Sequence, residues 1–582
     1  MSIQLLETVD SGTVILDGRA YKIGQVGSFV RIPQGYMNLY GIVSEIGASA
    51  VPDHLEIDVA VSGQWMTVQL LGEGLGSSFE RGISQHPNVG DEVHLVTESD
   101  LLRIYQPTKS GQIRIGSLSS AENIGVFIDL DKLVTRHSAL VGSTGSGKST
   151  TVASLLRSLC ESDGKSYPSA RVLLLDIHGE YSKALSDVAV TFSSDPNTKE
   201  GQKQLFVPYW ALELEELTQF LFGALNVQQR TAVFDRVFNS KKSALKDAKY
   251  EGVTDDTLTV DTPIPFSLNQ LWYDLLDFEI KTFSDQQKTV PAKIADGDAS
   301  KLIAPQYSPA TTTNTAPYTN TLALGLRRQL DSCRSKLLDH KFDFLLHPGP
   351  CEPDVTGKVK SDLDAMLKDW LGHERQITIL DLSGVPNDVL SQLIGAILRV
   401  VYDALFWSRR QPEGGIQRPL LVVMEEAHRY IAPGLSNPTQ AIIHRIVKEG
   451  RKYGIGALVV SQRPSEVDET VLSQCGTFVA LRLSNQSDRG RVRSTLSDNL
   501  SGLTDMLPIL RTGEAVISGE AITLPVRCRI EPPSPDRRPE SEDPKVAVQW
   551  AKARDTEDYA RMVALWRAKT LHLEPSKGKP KK

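Results

Sequence analysis

One octapeptide has the residue types and spacing of a phosphate-binding loop. Residues 142–149, Gly-Ser-Thr-Gly-Ser-Gly-Lys-Ser, match the pattern GxxxxGK[ST] in full, between an apolar segment (138–141) and a segment of helical periodicity (149–160). The glycines let the backbone curl so that successive N–H groups point at phosphate oxygens, and the start of the helix adds a favourable dipole. A flexible Gly/Ser turn is the alternative.

Within this loop, each residue type has a predicted task. We expect the Lys148 ammonium to contact the β and γ phosphates of ATP and the Ser149 hydroxyl to face Mg²⁺. The predicted nucleotide-binding residues are Gly142, Ser143, Thr144, Gly145, Ser146, Gly147, Lys148, Ser149 and Thr150.

Two acidic residues directly follow a second apolar run. The run Leu-Leu-Val-Val-Met at 420–424 precedes Glu425 and Glu426, so a buried strand would end in a pair of carboxylates. In phosphoryl-transfer enzymes the first acid holds the Mg²⁺ shell, and the second orients and deprotonates water. Aspartate is commoner in the first position, and Glu425 is one methylene longer, which a water-mediated contact accommodates. We therefore predict Glu425 as a metal ligand and Glu426 as the general base; a strand end with solvated acids is the alternative.

A third apolar run, 457–461, has a polar tip and a basic turn before it. Because the carboxyl ends of parallel strands converge on a ligand, Gln462 is predicted to sense the γ-phosphate or hold the attacking water. A loop-capping glutamine is the alternative. Arg451, with Lys452 beside it, is predicted to act as an arginine finger on the nucleotide of a neighbouring subunit, since a guanidinium fork suits developing phosphoryl charge. Its alternative is an exposed basic turn.

The segment after the apolar run 171–175 carries two further acids. Asp176 and Glu180 are predicted to lie at the nucleotide edge, with a binding or coupling role. A structural turn is the alternative. Two acids and the single His178 do not make a zinc set.

The apolar runs that carry these residues alternate with helical segments. Continuous apolar strands between helices predict an α/β fold with a parallel sheet covered on both faces. Further strands are expected at 377–382, 478–482 and 513–517.

Pattern changes along the chain predict five parts. Short strands (13–16, 29–32, 55–61 and 65–71) predict a small N-terminal β-barrel in residues 1–110. The parts that follow are the first part of the core (111–210), a mostly helical insertion (211–375) with a mobile polar loop (289–321), the second part of the core (376–531), and a C-terminal helix (545–569) with a basic tail (532–582 in all).

Composition indicates a cytoplasmic multidomain protein. The 582 residues are 40% hydrophobic and 23% charged, and the formal net charge is −7. This excludes a chain coated with basic residues, although a local basic channel remains compatible with it. Five dispersed cysteines predict reduced core thiols, and neither a secretory signal nor an uncharged apolar stretch of membrane-spanning length is expected.

Taken together, the motifs resemble the HerA family, in the HerA/FtsK group of DNA-pumping ATPases. The points of resemblance, in chain order, are LVGSTGSGKST (140–150), DIHGEYS (176–182), ILDLSGVP (379–386), EEAHRY (425–430), EGRKYGIG (449–456), SQRPSEV (461–467) and TGEAVISGEAITLPVRCRI (512–530). The resemblance implies a RecA-like parallel-sheet P-loop ATPase core with an N-terminal barrel. It also implies a homo-hexameric ring with ATP between subunits, double-stranded DNA in a central channel, and an effector docked at the barrel face. That effector would be a nuclease or a sirtuin-like NAD-degrading enzyme.

Two functional interpretations stay open at this point. In the first, the ring hydrolyses ATP to translocate or unwind DNA together with a partner nuclease or antiviral effector. In the second, it is an ATP-binding scaffold that assembles and activates a defence effector. DNA repair and antiviral defence are both compatible with the motifs, and a P-loop enzyme that does not act on DNA is the remaining alternative.

Overall fold

The computed structural model describes residues 2–4, 13–16, 19–22, 25–48, 64–76, 78–107, 110–162, 164–247, 250–311, 315–434, 437–495, 501–539, 546–552 and 558–568. The chain divides into two compact units. The first comprises Met1–Val190, Glu374–Ile379 and Leu405–Asp543, and the second comprises Thr191–His373, Leu380–Ala404 and Pro544–Lys582.

The strands, in chain order, are β1 (Ser2–Gln4), β2 (Thr13–Leu16), β3 (Arg19–Lys22), β4 (Phe29–Gln34), β5 (Met37–Ala48), β6 (Gln64–Leu75), β7 (Ser78–Arg81), β8 (His94–Leu95), β9 (Gln112–Leu118), β10 (Ala121–Asp129), β11 (Ser138–Val141), β12 (Glu161–Ser162), β13 (Lys165–Ser166), β14 (Val172–Asp176), β15 (Ala189–Ser193), β16 (Lys203–Gln204), β17 (Thr282–Phe283), β18 (Lys293–Ala295), β19 (Gln306–Tyr307), β20 (Tyr318–Thr319), β21 (Ile377–Asp381), β22 (Leu420–Met424), β23 (Ile455–Ser461), β24 (Thr477–Ala480), β25 (Glu514–Gly519) and β26 (Val526–Ile530).

The α-helices are α1 (Glu98–Tyr105), α2 (Leu130–Thr135), α3 (Lys148–Cys160), α4 (Leu214–Phe222), α5 (Val227–Asp247), α6 (Leu268–Ile280), α7 (Arg327–Leu337), α8 (Asp343–Leu346), α9 (Leu363–Leu371), α10 (Asn387–Trp407), α11 (Pro438–Glu449), α12 (Glu469–Ser473), α13 (Gln486–Thr495), α14 (Ser501–Asp505), α15 (Val546–Trp550) and α16 (Tyr559–Ala568).

The first unit is built on a mixed sheet whose centre is parallel. Its strands lie in the order β10-β9-β26-β25-β24-β11-β23-β22-β14-β21. The pairs from β24 to β14 are parallel, and every residue of β11, β22 and β23 is buried, as continuous apolar runs predict. This confirms the α/β fold class. Beyond the predicted parallel sheet, β25, β26, β9 and β10 add antiparallel pairs on the side of β24.

The N-terminal strands form a separate antiparallel sheet. Its order is β1-β6-β5-β4-β8, and β7 also pairs with β6. Small apolar clusters, including Ile32, Leu39 and Val68, lie against it. Within the described part of the chain no pairing joins β1 to β8, so closure into a barrel stays a prediction. The strand predicted at 55–61 lies outside the described residues.

The second unit contains helices α4 to α9 and two short antiparallel strand pairs, β17–β20 and β18–β19. Three of these short strands (β18, β19 and β20) lie in residues 289–321, where a mobile loop is predicted. Trp272 of α6 donates its ring N–H to the Leu330 carbonyl of α7 (3.1 Å), which joins the two helices. Farther along, His347 lies 2.8 Å from the Glu352 carboxylate and 2.9 Å from the Leu337 carbonyl.

Among the described residues, one helix is long and apolar enough, by length and composition, to cross a membrane. The window Val389–Trp407 of α10 has a mean hydropathy of 1.6, 72% of it is buried, and it includes the charged residues Arg399 and Asp403. Arg399 in the same helix pairs with Glu213 (2.6 Å) and Glu216. The core helix of a soluble protein passes the same test, so this helix is weak evidence for a membrane span.

The remaining expectations concern the cysteines and the C-terminus. All five cysteines are buried free thiols, as predicted. The single helix expected at 545–569 is instead seen as α15 and α16, separated by residues outside the described part of the chain. Trp566 and Met562 of α16 are exposed. The basic tail also lies outside the described residues.

Candidate functional site

The phosphate-loop motif lies between β11 and α3, as its flanking patterns predict. The loop curls through left-handed backbone at Gly145 (φ +73°) and Gly147 (φ +91°). At Gly142 a side chain has no room, since a Cβ atom would lie 2.6 Å from Ser146 Oγ. Gly147 caps α3, so the N–H groups of its first turn, from Lys148 to Thr150, have no acceptor within the helix. These N–H groups are the donors that an anion requires.

Residues next to the ends of β24 and β25 hold the loop from the side. Ser143 donates its N–H to the Arg482 carbonyl (2.9 Å), and the Arg482 guanidinium donates to the Gly145 carbonyl (3.2 Å). Gly513 donates its N–H to the Ser146 carbonyl (2.9 Å). Sequence reasoning did not assign Arg482 a role, although it follows the strand next to β11. The convergence of parallel strand ends would have found it.

The lysine of the loop is paired with the second acid. Lys148 donates to Glu426 Oε1, and the two side chains are 7% and 2% exposed. Gln462 donates to the same oxygen (2.6 Å) and accepts a hydrogen bond from Thr144 Oγ1 (2.5 Å). The register explains this arrangement, because Val141 at the end of β11 pairs with Ser461 at the end of β23. Three predicted residues from distant segments therefore meet in one network.

Backbone geometry directs Glu426 into that network. Its φ is +46°, the left-handed region, which costs a non-glycine residue about 1–3 kcal/mol and is concentrated at functional sites. His428 Nδ1 lies 3.2 Å from Glu426 Oε2, on the side away from Lys148's contact with Oε1. The left-handed backbone at Glu426 therefore directs its carboxylate towards Lys148.

The first acid of the pair is held by a tyrosine. The Tyr181 hydroxyl donates to Glu425 Oε1, and the Tyr430 hydroxyl donates to the Glu425 main-chain carbonyl (2.9 Å). Both tyrosines are fully buried. Neither was predicted as a site residue, although Tyr181 lies in the quoted motif DIHGEYS.

Asp176 shapes the turn that delivers this tyrosine. Its carboxylate accepts the backbone N–H groups of His178 (3.3 Å), Gly179 (2.8 Å), Glu180 (3.3 Å) and Tyr181 (3.0 Å). These contacts match the structural-turn alternative for Asp176. A nucleotide-side role for Asp176 and Glu180 stays a prediction.

Burial and charge separate the two acids. Burial raises the pKa of Glu425 to about 7, and the nearby Lys148 ammonium only partly offsets it. For Glu426 burial also acts to raise the pKa, but Lys148 and Gln462 outweigh it, and the net pKa is lowered. Burial likewise lowers the pKa of His428. The surroundings of the two acids therefore push their pKa values in opposite directions, although the two residues are adjacent in the chain.

The basic turn with Arg451 lies at the amino-terminal ends of the parallel strands, whereas the phosphate loop lies at their carboxyl-terminal ends. It is a 3-10 turn, Gly450–Tyr453, that precedes the first residue of β23, whereas Gln462 follows its last residue. Seven residues of strand span about 20 Å. Arg451 is exposed there, so within one chain it does not join the other predicted residues.

The residues present fit a magnesium–nucleotide complex. The helix start and Lys148 offer donors and positive charge to phosphate oxygens. Ser149 is partly exposed, and its hydroxyl with the Glu425 carboxylate supplies the hard oxygen ligands that Mg²⁺ prefers. In the described residues no group of three or more His, Cys, Asp or Glu side chains could hold a metal alone.

Comparison with known proteins gives consistent matches. The family model "Helicase HerA, central domain" matches residues 113–401. The DNA double-strand break repair helicase HerA of Sulfolobus acidocaldarius is 28% identical over 481 residues, which is 82% of this chain and 80% of that protein. The protein of the same name from Saccharolobus solfataricus is 26% identical over 479 residues, or 82% and 79% of the two chains. Among solved structures, VirB4 of Thermoanaerobacter pseudethanolicus is 14% identical with a TM-score of 0.47, over 74% of this chain and 99% of that one.

These matches agree with the motifs quoted from the sequence. The matched region of the family model begins in β9 and ends in α10, and includes the phosphate loop. The two relatives extend the similarity to about four-fifths of both chains. The chain therefore belongs to the HerA family of ATP-hydrolysing P-loop enzymes.

Proposed function

We propose that the chain is a cytoplasmic motor that hydrolyses ATP at the subunit interfaces of a homo-hexameric ring and thereby translocates or unwinds double-stranded DNA. The observation that carries the proposal is the buried network of Lys148, Glu426 and Gln462, which faces the open first turn of α3. The names of the relatives, which describe DNA repair helicases, support DNA as the substrate of the motor.

Each residue of the network has a distinct task in hydrolysis. Lys148 leaves Glu426 to bind the β and γ phosphates, and Glu426, so released, accepts a proton from the attacking water. Gln462, already linked to Thr144 in the loop, orients that water. Ser149 and Glu425 would hold Mg²⁺, which would supply positive charge to the phosphates.

A ring is needed because, within one chain, Arg451 does not reach the phosphate site. Arg451 lies at the opposite ends of the strands from the phosphate loop, so the arginine at each nucleotide must come from a neighbouring copy. A heterologous contact of this kind, repeated around a closed ring, places one ATP at each interface. DNA would then pass through the channel, and a nuclease or a sirtuin-like NAD-degrading enzyme would act as partner.

Mixing two inactive variants tests the shared site. Lys148→Ala loses the phosphate contact but keeps Arg451. Arg451→Ala loses the arginine but keeps Lys148. If subunits mix at random, about one quarter of interfaces regain both groups, and ATPase activity returns. Lys452→Ala, a neighbouring exposed basic residue, is the matched control and should be active alone. Mixtures that stay inactive, although mixed rings form, would contradict delivery of Arg451 by a neighbour.

A second candidate is a scaffold that binds ATP to assemble and activate a defence effector. It shares the same nucleotide site, and the dependence on DNA separates the two. The motor predicts that duplex DNA stimulates ATPase activity and that Glu426→Gln stops both movement on DNA and effector output. Effector output that survives Glu426→Gln would favour the scaffold.

A further inference from the structure

A tryptophan at the end of α10 is exposed beside stacked cations. Trp407 is 81% exposed, and its ring centroid lies 5.1 Å from that of Phe406. The guanidinium groups of Arg409 and Arg445 lie over the Phe406 ring, 5.8 and 5.6 Å from its centroid. Stacking of this type fixes long cationic side chains in place. The result is a rigid aromatic group with charged neighbours on the surface of the first unit.

The same cluster holds the turn that carries Arg451. The Tyr453 ring, in that turn, packs edge-on against Phe406 with centroids 4.7 Å apart. The backbone also makes a close contact, since a Cβ atom at Gly454 would lie 1.8 Å from the Gly415 carbonyl oxygen. The end of α10, the segment after it and the Arg451 turn therefore form one packed body.

This body carries excess positive charge. Segments 405–419 and 445–454 contain seven basic and two acidic residues, in a chain whose net charge is −7. A second copy offers the complement, because its own net charge is −7 and, under the proposed function, the triphosphate of ATP adds negative charge at its phosphate site. We call the following side chains the Trp407 surface: Trp407, Arg409, Arg410, Arg445 and Arg451.

We propose that the Trp407 surface docks on a second copy of this chain, beside that copy's phosphate site. Trp407 is the apolar anchor of the contact, and Arg451 is the charged group that it positions. The proposal rests on the proposed function, since it identifies the surface through which one subunit completes the site of the next. Tryptophan and arginine are the residues that contribute most to binding at protein interfaces. Because Trp407 packs on Phe406 and Phe406 packs on Tyr453, binding of Trp407 to the second copy would also fix the position of Arg451.

Assembly and nucleotide binding of Trp407→Ala test this surface. Because Trp407 is exposed, its removal leaves the fold intact. Subunit association, measured by analytical ultracentrifugation across a concentration series, should weaken by about 10- to 100-fold. ATP binding to the isolated subunit should stay unchanged, and ATPase activity should return at high protein concentration. Trp550→Ala is the matched control, since Trp550 is 85% exposed and lies in α15, and it should assemble normally. Arg410→Glu is a second variant on the proposed surface and should also weaken assembly.

Each other outcome has a definite meaning. If Trp407→Ala and Arg410→Glu assemble as the unaltered protein does, the Trp407 surface is not the contact, and the ring itself is unaffected. If assembly is intact but affinity for duplex DNA falls, the surface binds nucleic acid and the proposal is overturned. If the unaltered protein is a monomer at all concentrations, with ATP and with DNA, then the ring fails together with this surface.

Discussion

Breaking the Lys148–Glu426 pair should cost stability in a way that one variant alone does not reveal. Both side chains are nearly inaccessible, and each is the other's charged partner. Removal of one partner leaves a buried charge uncompensated, at a cost of about 3–5 kcal/mol. For Lys148→Met we expect the lower end, about 3 kcal/mol, because Gln462 still donates to Glu426 at 2.6 Å.

The double variant gives the coupling free energy between Lys148 and Glu426. Glu426→Gln alone leaves the Lys148 ammonium buried but keeps an amide oxygen that can accept a hydrogen bond from it, so this variant should cost less, about 2 kcal/mol. With both charges removed, neither is left uncompensated, so Lys148→Met/Glu426→Gln should cost about 3 kcal/mol rather than the sum of the single variants. The expected coupling between the two residues is therefore about 2 kcal/mol.

Hydrogen exchange of the α3 amides, without nucleotide, is the suitable assay. The chain has two compact units, so a single unfolding transition does not describe it, whereas exchange reports the local opening free energy. Single-variant effects that add to within about 0.5 kcal/mol would show that the two side chains do not interact, and would refute the network.

Three further predictions concern single groups. The Glu352 carboxylate that accepts its hydrogen bond raises the pKa of His347 to about 9, so the stability that this histidine contributes is complete below pH 6.5 and is lost as the pH rises through 9. One pKa unit corresponds to about 1.4 kcal/mol, so the loss is at most about 3 kcal/mol before solvent screening reduces it. The local opening free energy of the α8 amides, measured by hydrogen exchange in His347→Gln, should lack this part of the pH dependence. Tyr181→Phe leaves a buried Glu425 oxygen without its donor, and should raise the Mg²⁺ concentration required for half-maximal ATPase activity by several-fold; an unchanged requirement would show that this hydroxyl does not position Glu425. Gly142→Ala should weaken ATP binding by at least tenfold, because its Cβ would clash with the loop, whereas Gly145→Ala meets nothing within 4 Å and costs only about 1–2 kcal/mol of backbone strain; equal ATP affinities of the two variants in a titration would contradict this geometry.

Local patterns predicted the core of the molecule well. Residues 138–141 and 420–424 are strands with the expected bounds, because a short apolar run before a polar tip is a local signal of a buried parallel strand. The meeting of Lys148, Glu426 and Gln462 also followed from the sequence, since parallel strands place their carboxyl ends together.

Features that depend on long-range packing were missed. The antiparallel extension of the sheet depends on which strands pair, and pairing has no local signature. Tyr181 contacts Glu425 across 244 positions, so its role is visible only in three dimensions. The short strands in 289–321 were not expected, because Thr, Pro and Ala there show no alternation of apolar and polar residues.

The central claim is that the phosphate loop and Glu426 act on one bound nucleotide, and Glu426→Gln tests it most directly. The variant keeps the shape of the side chain and removes its ability to accept a proton from water. We predict that it binds ATP with Mg²⁺ about as well as the unaltered protein, in equilibrium titrations, while the turnover rate falls by about 100-fold or more. Turnover at the unaltered rate would contradict the claim.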